Sequence, residues 1–276
     1  MIRIYYHIYT SSHKILALSF VDQQMRRIYV SGLPKYAQLN CVIHGPYHKD
    51  VEDLVQRYGG WRIIESRPDD VEGLREARTL RYLWSESQLD DAVLFLHTKG
   101  INYMSGESRI HGITIPRNLK AINSWRFALE YYNLDEWWQR FNSLKDMNVD
   151  TESAFMNLDP YWNYCGNIWW ARGSHIRRLP DPTTMQGIDR KNAARAWLFW
   201  YKGNHMSVFH VLDKPREDGR GGYGTFRLHE DDLMKYLIED RDRVTANKQF
   251  IMTPAAMDIL ERQFQELKRQ EQIGQE

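Results

Sequence analysis

Residues 93–100 read Val93-Leu94-Phe95-Leu96-His97-Thr98-Lys99-Gly100: four apolar residues, then at once an imidazole, a hydroxyl, an ammonium and a glycine. Four consecutive apolar side chains suit a strand buried on both faces, and Gly100 marks the turn that ends it. In open α/β sheets ligands bind at the carboxyl ends of the strands. A cation held there can neutralise phosphate, with a neighbouring hydroxyl or imidazole adding hydrogen bonds. Taken alone, the triplet His97-Thr98-Lys99 also fits an ordinary polar sheet edge.

Working outward, the preceding hundred residues alternate strand and helix patterns. Ile2 to Tyr9 alternates and is rich in aromatics, as a first strand ending at Thr10-Ser11-Ser12 would be. Ile15, Leu18, Val21, Met25 and Ile28 recur at helical spacing before Ser31-Gly32. Strands are expected near 39–44 and 61–65, with helices near 48–58 and 72–89 between and after them. This βαβα order implies an α/β fold with a mostly parallel sheet and helices on both faces. Right-handed crossovers then send these strand ends to one edge.

Beyond residue 100 the pattern changes. Residues 101–118 read as loop, 119–145 as an aromatic helix pair, and 147–149 and 166–172 as strands. A helix is expected at 190–202 and a strand at 206–211. Four glycines within 213–227 point to a surface loop, because neither a Gly-Lys-Ser signature nor strand-to-helix framing accompanies them. Residues 254–276 carry Met257, Leu260, Phe264 and Leu267 on one helical face. We expect 1–215 to form one domain, with a nucleotide-sugar half at about 1–100 and an acceptor half at about 101–215. Residues 216–276 are expected as a flexible loop and C-terminal helices packed on that domain.

Composition sets bounds on function. The 276 residues are 42% hydrophobic and 26% charged, ordinary for a globular chain, and the net charge of +1 offers no global field for a polyanion. No apolar run approaches the roughly 18 residues of a membrane span, and Met1-Ile2-Arg3-Ile4 leads into a strand without a signal-peptide pattern, so a cytoplasmic protein is expected. Cys41 and Cys165 are too few for a metal cluster or a disulfide framework, although one bridge between them stays open. His175, His205 and His210 lack metal-ligand spacing. Ten Trp and sixteen Tyr are an excess that fits core packing or, where rings are exposed, stacking on sugars and bases.

The ordered set of motifs resembles GT-A-type glycosyltransferases of bacteria and their phages, including enzymes related to the rhamnan-synthesis group. The matching stretches are Ile4-Tyr5-Tyr6-His7-Ile8, Ser31-Gly32-Leu33, Glu72 with Thr79-Leu80 and Leu83-Trp84, and Leu94 to Gly100. Trp125-Arg126 and Gly166-Asn167-Ile168-Trp169-Trp170-Ala171-Arg172 complete them, in order over about 1–215. The resemblance implies a GT-A, Rossmann-like fold with a C-terminal helical extension. It also implies transfer of a glycosyl group from a nucleoside-diphosphate sugar, a UDP-sugar first, to an acceptor hydroxyl. Relatives carry Asp-x-Asp at the position of His97-Thr98-Lys99, so this chain is expected to need no bound metal there and no other cofactor.

By the same resemblance, Lys99 and His97 would face the leaving diphosphate, and Tyr9, Thr10, Glu72, Arg75, Thr98, Gly100 and Arg126 would bind the donor, with Arg78 an alternative to Arg75. Asn167, Trp169, Trp170 and Arg172 would border the sugar and acceptor. Relatives carry an acidic residue before the late Trp. Here Arg195-Ala196 precede Trp197, which leaves Asp159, Asp181 or Asp189 as the acceptor base and Asp181 as the first choice. The acceptor would be a surface glycan or a hydroxymethylated base in phage DNA. For DNA, Arg172, Arg177, Arg178, Arg190 and Lys191 would form a basic strip, extended by Lys214, Arg216 and Arg220. The alternative is a non-catalytic carbohydrate- or nucleotide-binding module of the same fold.

Overall fold

Alternating apolar residues in Ile2–Tyr9 give the first strand, β1, two packed faces: Ile4, Tyr6 and Ile8 enter one core and Tyr5 the other. The computed structural model describes residues 1–10, 13–69, 74, 76–98, 107–110, 113–116, 126–146, 148–157, 163–185, 194–211 and 250–252. After β1 come α1 (Lys14–Val30), β2 (Ala37–His44), α2 (His48–Tyr58), β3 (Trp61–Arg67), α3 (Glu76–Glu86) and β4 (Ala92–His97). A hairpin follows, β5 (Glu107–Ile110) with β6 (Ile113–Pro116). Helical residues 126–130 and a π-helical stretch, Tyr131–Asp135, lead to α4 (Trp137–Asp146). The chain continues through β7 (Thr151–Asn157), β8 (Asn163–Tyr164), β9 (Trp169–Arg172), the short α5 (Gly173–Ile176), β10 (His205–Val211) and β11 (Phe250–Met252).

The main sheet runs β11-β10-β7-β9-β4-β1-β2-β3, with β8 paired to β7. β3, β2, β1 and β4 are mutually parallel, as the strand and helix alternation requires. The other half is mixed: β9 runs antiparallel to both β4 and β7, while β7 and β10 are parallel. The expectation of a mostly parallel sheet thus holds for the first four strands and, in direction, for β7 and β10, and fails at β8, β9 and β11, which run against their neighbours. Helices α1 and α2 pack Val21, Met25, Ile28, Val51 and Val55 on one face, and α3 packs Ala77, Leu80 and Leu83 on the other. That split follows from the order: stepping from β1 outward to β2 and β3, then back past β1 to β4, reverses the crossover direction, so right-handed connections must change face.

Three local expectations are corrected. The strand expected at 147–149 begins instead at Thr151, because Asn148 has a left-handed backbone with φ of 51°. Residues 101–118 contain the β5–β6 hairpin rather than loop alone. In 166–172 only Trp169–Arg172 is strand; Gly166 and Asn167, with φ of 91° and 51°, form a turn before it. Cys41 and Cys165 are not joined by a disulfide. Among the described residues no helix is long and apolar enough to cross a membrane. The expected glycine-rich loop at 213–227 and helix at 254–276 lie outside the described residues, and β11 is an edge strand the sequence reading does not place.

Candidate functional site

β1 and β4 are neighbours although the chain builds two other strands between them. The carboxyl ends of two such strands form the crevice where open α/β sheets bind ligands. Tyr9 and Thr10 stand at the end of β1, and His97 and Thr98 at the end of β4. Thr98 extends the ladder one step past the strand: its backbone N–H donates to the His7 carbonyl at 3.2 Å. Its Oγ1 accepts from the Tyr9 N–H at 2.9 Å and donates to the Tyr9 carbonyl at 3.0 Å. The hydroxyl is therefore a strut between the two strands. Tyr9 itself is 39% exposed at the rim.

His97 is buried with its ring stacked near Phe95, and both its nitrogens are engaged. Nε2 donates to the Gly166 carbonyl at 2.6 Å, and Nδ1 lies 3.1 Å from Oε1 of Glu76. Glu76 opens α3, where the helix dipole favours a carboxylate. Its other oxygen, Oε2, accepts from Nδ2 of Asn167 at 2.5 Å, and Oδ1 of Asn167 accepts from the Trp169 indole at 2.9 Å. Asparagine tolerates the left-handed backbone this turn needs better than most side chains. The β9 entrance is thus fastened to the end of β4 directly, from Gly166 to His97, and through Glu76, from Asn167 to His97.

A row of imidazoles runs across the same edge. His7 of β1 shares a hydrogen bond between Nδ1 and Thr79 Oγ1 at 2.8 Å, and its ring meets His44 of β2 edge-on at 5.5 Å. Burial pushes the His7 imidazole down to about 3, with His44 and His97 adding to the shift and Glu76 opposing it. His7 is therefore neutral. His44 lies 3.4 Å from Glu65 of β3, and that carboxylate also holds Arg67 at 2.6 Å, Arg78 at 3.2 Å and the Tyr82 hydroxyl at 3.0 Å.

On the opposite face Gln24 of α1 donates to Glu130 at 2.8 Å and to the His97 carbonyl at 3.4 Å, and accepts from the Tyr6 hydroxyl at 2.5 Å. Burial pushes the Glu130 carboxyl up, and Arg126 and Arg27, 3.7 and 3.6 Å away, counter it.

Several expected site residues have other duties. Trp169 and Trp170 are 1% and 0% exposed, one beside Phe95 and Trp197 and the other donating to the Asn133 carbonyl, so neither offers a ring face for stacking. Arg172 pairs with Ala92 at the far end of β4, on the edge opposite His97. Arg126 donates to Gln23, lies over Phe20 and balances Glu130. Asp181 accepts from the backbone and hydroxyl of Thr183 and lies 3.5 Å from Arg81, a turn residue and not a base at this edge. His97, with both nitrogens committed, is a tether and not a free phosphate contact. Lys99, Gly100, Glu72, Arg75, Asp159 and Asp189 lie outside the described residues.

Glu76, His7, His44, Thr79 and Glu65 are the residues at this edge that sequence reasoning missed. A signal existed for two of them and the tether: β1, β2 and β4 each carry a histidine in or beside an apolar run at the carboxyl end, His7, His44 and His97. Among the described residues no group of three or more His, Cys, Asp and Glu is arranged to hold a metal ion. No protein-family model matches the chain, and no curated protein matches it.

Proposed function

We propose that this chain is a GT-A-type glycosyltransferase that moves a sugar from a nucleoside-diphosphate sugar, a UDP-sugar first, to an acceptor hydroxyl. The observation that carries the reading is the pairing of β1 directly with β4, which puts Tyr9-Thr10 and His97-Thr98 side by side at the switch point of the sheet. In transfer, the bond from the anomeric carbon to the diphosphate oxygen breaks and the acceptor oxygen bonds to that carbon, its proton passing to a carboxylate base, Asp159 or Asp189 by the sequence reading. The departing diphosphate must be neutralised as it leaves. Lys99, next in sequence after Thr98, is the cation for that role, standing where relatives place carboxylates for a metal.

Of the two acceptors, we put a glycan hydroxyl before a hydroxymethylated DNA base. A flipped DNA base needs exposed stacking rings and a basic strip beside the crevice. Trp169 and Trp170 are buried, Arg172 is at the far edge, Arg177 donates to the Trp84 carbonyl and Arg178 pairs with Asp150. The test is incubation with labelled UDP-, GDP- and CMP-sugars, alone and with oligosaccharide or hydroxymethylated duplex DNA. Release of free nucleotide with labelled oligosaccharide supports the reading. Saturable nucleotide binding without release of sugar assigns a non-catalytic binding module, and no binding of any sugar nucleotide overturns both.

A further inference from the structure

Glu76 spans two partners at the switch point, and the hydrogen-bonding capacities of the groups around it determine where the protons sit. An ionised carboxylate only accepts, and so does a backbone carbonyl. His97 stands between one of each, with Nδ1 3.1 Å from Glu76 Oε1 and Nε2 2.6 Å from the Gly166 carbonyl. Both contacts are satisfied together when both ring nitrogens carry protons. Among the described residues near His97, His7 of β1 is neutral by burial, and beyond it His44 of β2 is beside Glu65 of β3.

We infer that Glu76 is a positioning residue of this site, holding the His97 ring as an imidazolium with one oxygen and the Asn167 side chain with the other; its kinetic consequence rests on the transferase reading. Asn167 has φ of 51° and a side chain used at both ends, by Glu76 and by Trp169. A strained residue persists where its surroundings over-determine it. Glu76 therefore sets the Gly166–Asn167 turn against the end of β4, from which Thr98 and Lys99 continue.

Two substitutions separate bracing from reaction. In Glu76→Gln the side-chain carbonyl still accepts from Asn167, and the amide donates to an Nδ1 that has given up its proton, so the brace survives without its charge. In Glu76→Ala both contacts are lost.

The experiment is nitrogen-15 NMR of the imidazole rings, with His97 assigned by its loss in His97→Gln, beside UDP-sugar turnover for the same proteins. We expect both His97 nitrogens protonated in the wild type and only Nε2 protonated in Glu76→Gln. Glu76→Gln should keep turnover within about threefold, whereas Glu76→Ala should lower kcat about a hundredfold with little change in KM. Equal loss of kcat in both variants would make Glu76 a reacting group and overturn the inference. So would a singly protonated His97 in the wild type, or full turnover in Glu76→Ala. If the wild type turns over no sugar nucleotide while the His97 signals behave as expected, the transferase reading fails and the brace stands.

Discussion

His97 of β4 donates from Nε2 to the carbonyl of Gly166 across 2.6 Å, joining positions 69 residues apart. That bond is where the parallel half of the sheet meets the antiparallel strand that begins the other half. It also consumes the nitrogen that an isolated reading of the sequence would have given to a ligand.

Replacing His97 with Ala should therefore loosen the turn before β9 as well as the site. A buried carbonyl and a carboxylate both lose a donor, a loss of about 1–3 kcal/mol for each group left unsatisfied. Urea denaturation of His97→Ala against the wild type checks this. A stability unchanged within error would mean the tether carries no weight.

Gly45 ends β2 with φ of 117°, and a Cβ there would lie 2.3 Å from Oγ1 and 2.7 Å from the carbonyl of Thr10. The Thr10 hydroxyl also accepts from the Tyr47 N–H at 3.2 Å, so the clash would spread into the start of α2. Gly45→Ala should destabilise by more than about 1 kcal/mol, because both the backbone and the space are wrong for a side chain. Thermal melting followed by circular dichroism measures it.

Acid should weaken the fold partly through His7. Its imidazole titrates at about 3 when folded and near the ordinary 6.5 when unfolded. Between those values the unfolded chain binds the extra proton, so this contribution is complete above 6.5 and lost as pH falls toward 3. The slope is about 1.4 kcal/mol per pH unit for one such group. His175 and His205, pushed down by burial, act in the same direction. Stability of wild type and His7→Gln, measured by denaturant titration from pH 7 to 4, should differ by about that slope. Parallel curves would contradict it.

The first four strands and three helices were legible because each switches cleanly between two-residue and helical periodicity and is bounded by Gly, Ser or Asp. The Leu96-His97 transition likewise marked the end of β4 correctly. What periodicity does not encode is which strands pair, and so the mixed half of the sheet, joined through β9, was not foreseen. Trp169 and Trp170 read as ligand contacts in a sequence, which does not record exposure; they occupy the two cores, one on each face of the sheet. Glu76 was missed for a related reason: an acidic first-turn residue is ordinary in a helix, and only the fold brings it to His97 and Asn167. The β5–β6 hairpin had a partial signal, the alternating Ile113-Thr114-Ile115 after His111-Gly112, but its first strand, Glu107-Ser108-Arg109-Ile110, does not alternate.

The core that receives Ile4, Tyr6 and Ile8 also holds an ion pair that the sequence did not disclose. Arg140 of α4 lies 2.6 Å from Glu152 of β7, both side chains at most 5% exposed, and the Tyr132 hydroxyl donates to the same carboxylate at 2.6 Å. Glu152→Ala would strand a buried guanidinium and should lose about 3–5 kcal/mol, whereas replacing both partners with Met and Leu should lose far less. Equilibrium urea denaturation of the single and double variants distinguishes these. Equal losses would mean the pair's volume, not its charge, is what matters.

The most direct test of the central claim is turnover of labelled UDP-, GDP- and CMP-sugars in excess EDTA by the wild type and by Lys99→Ala. The account predicts transfer that survives EDTA in the wild type and is lost in Lys99→Ala, with the variant's denaturation midpoint nearly unchanged. Activity abolished by EDTA and restored by manganese, or a Lys99→Ala protein that transfers sugar as well as the wild type, would contradict it.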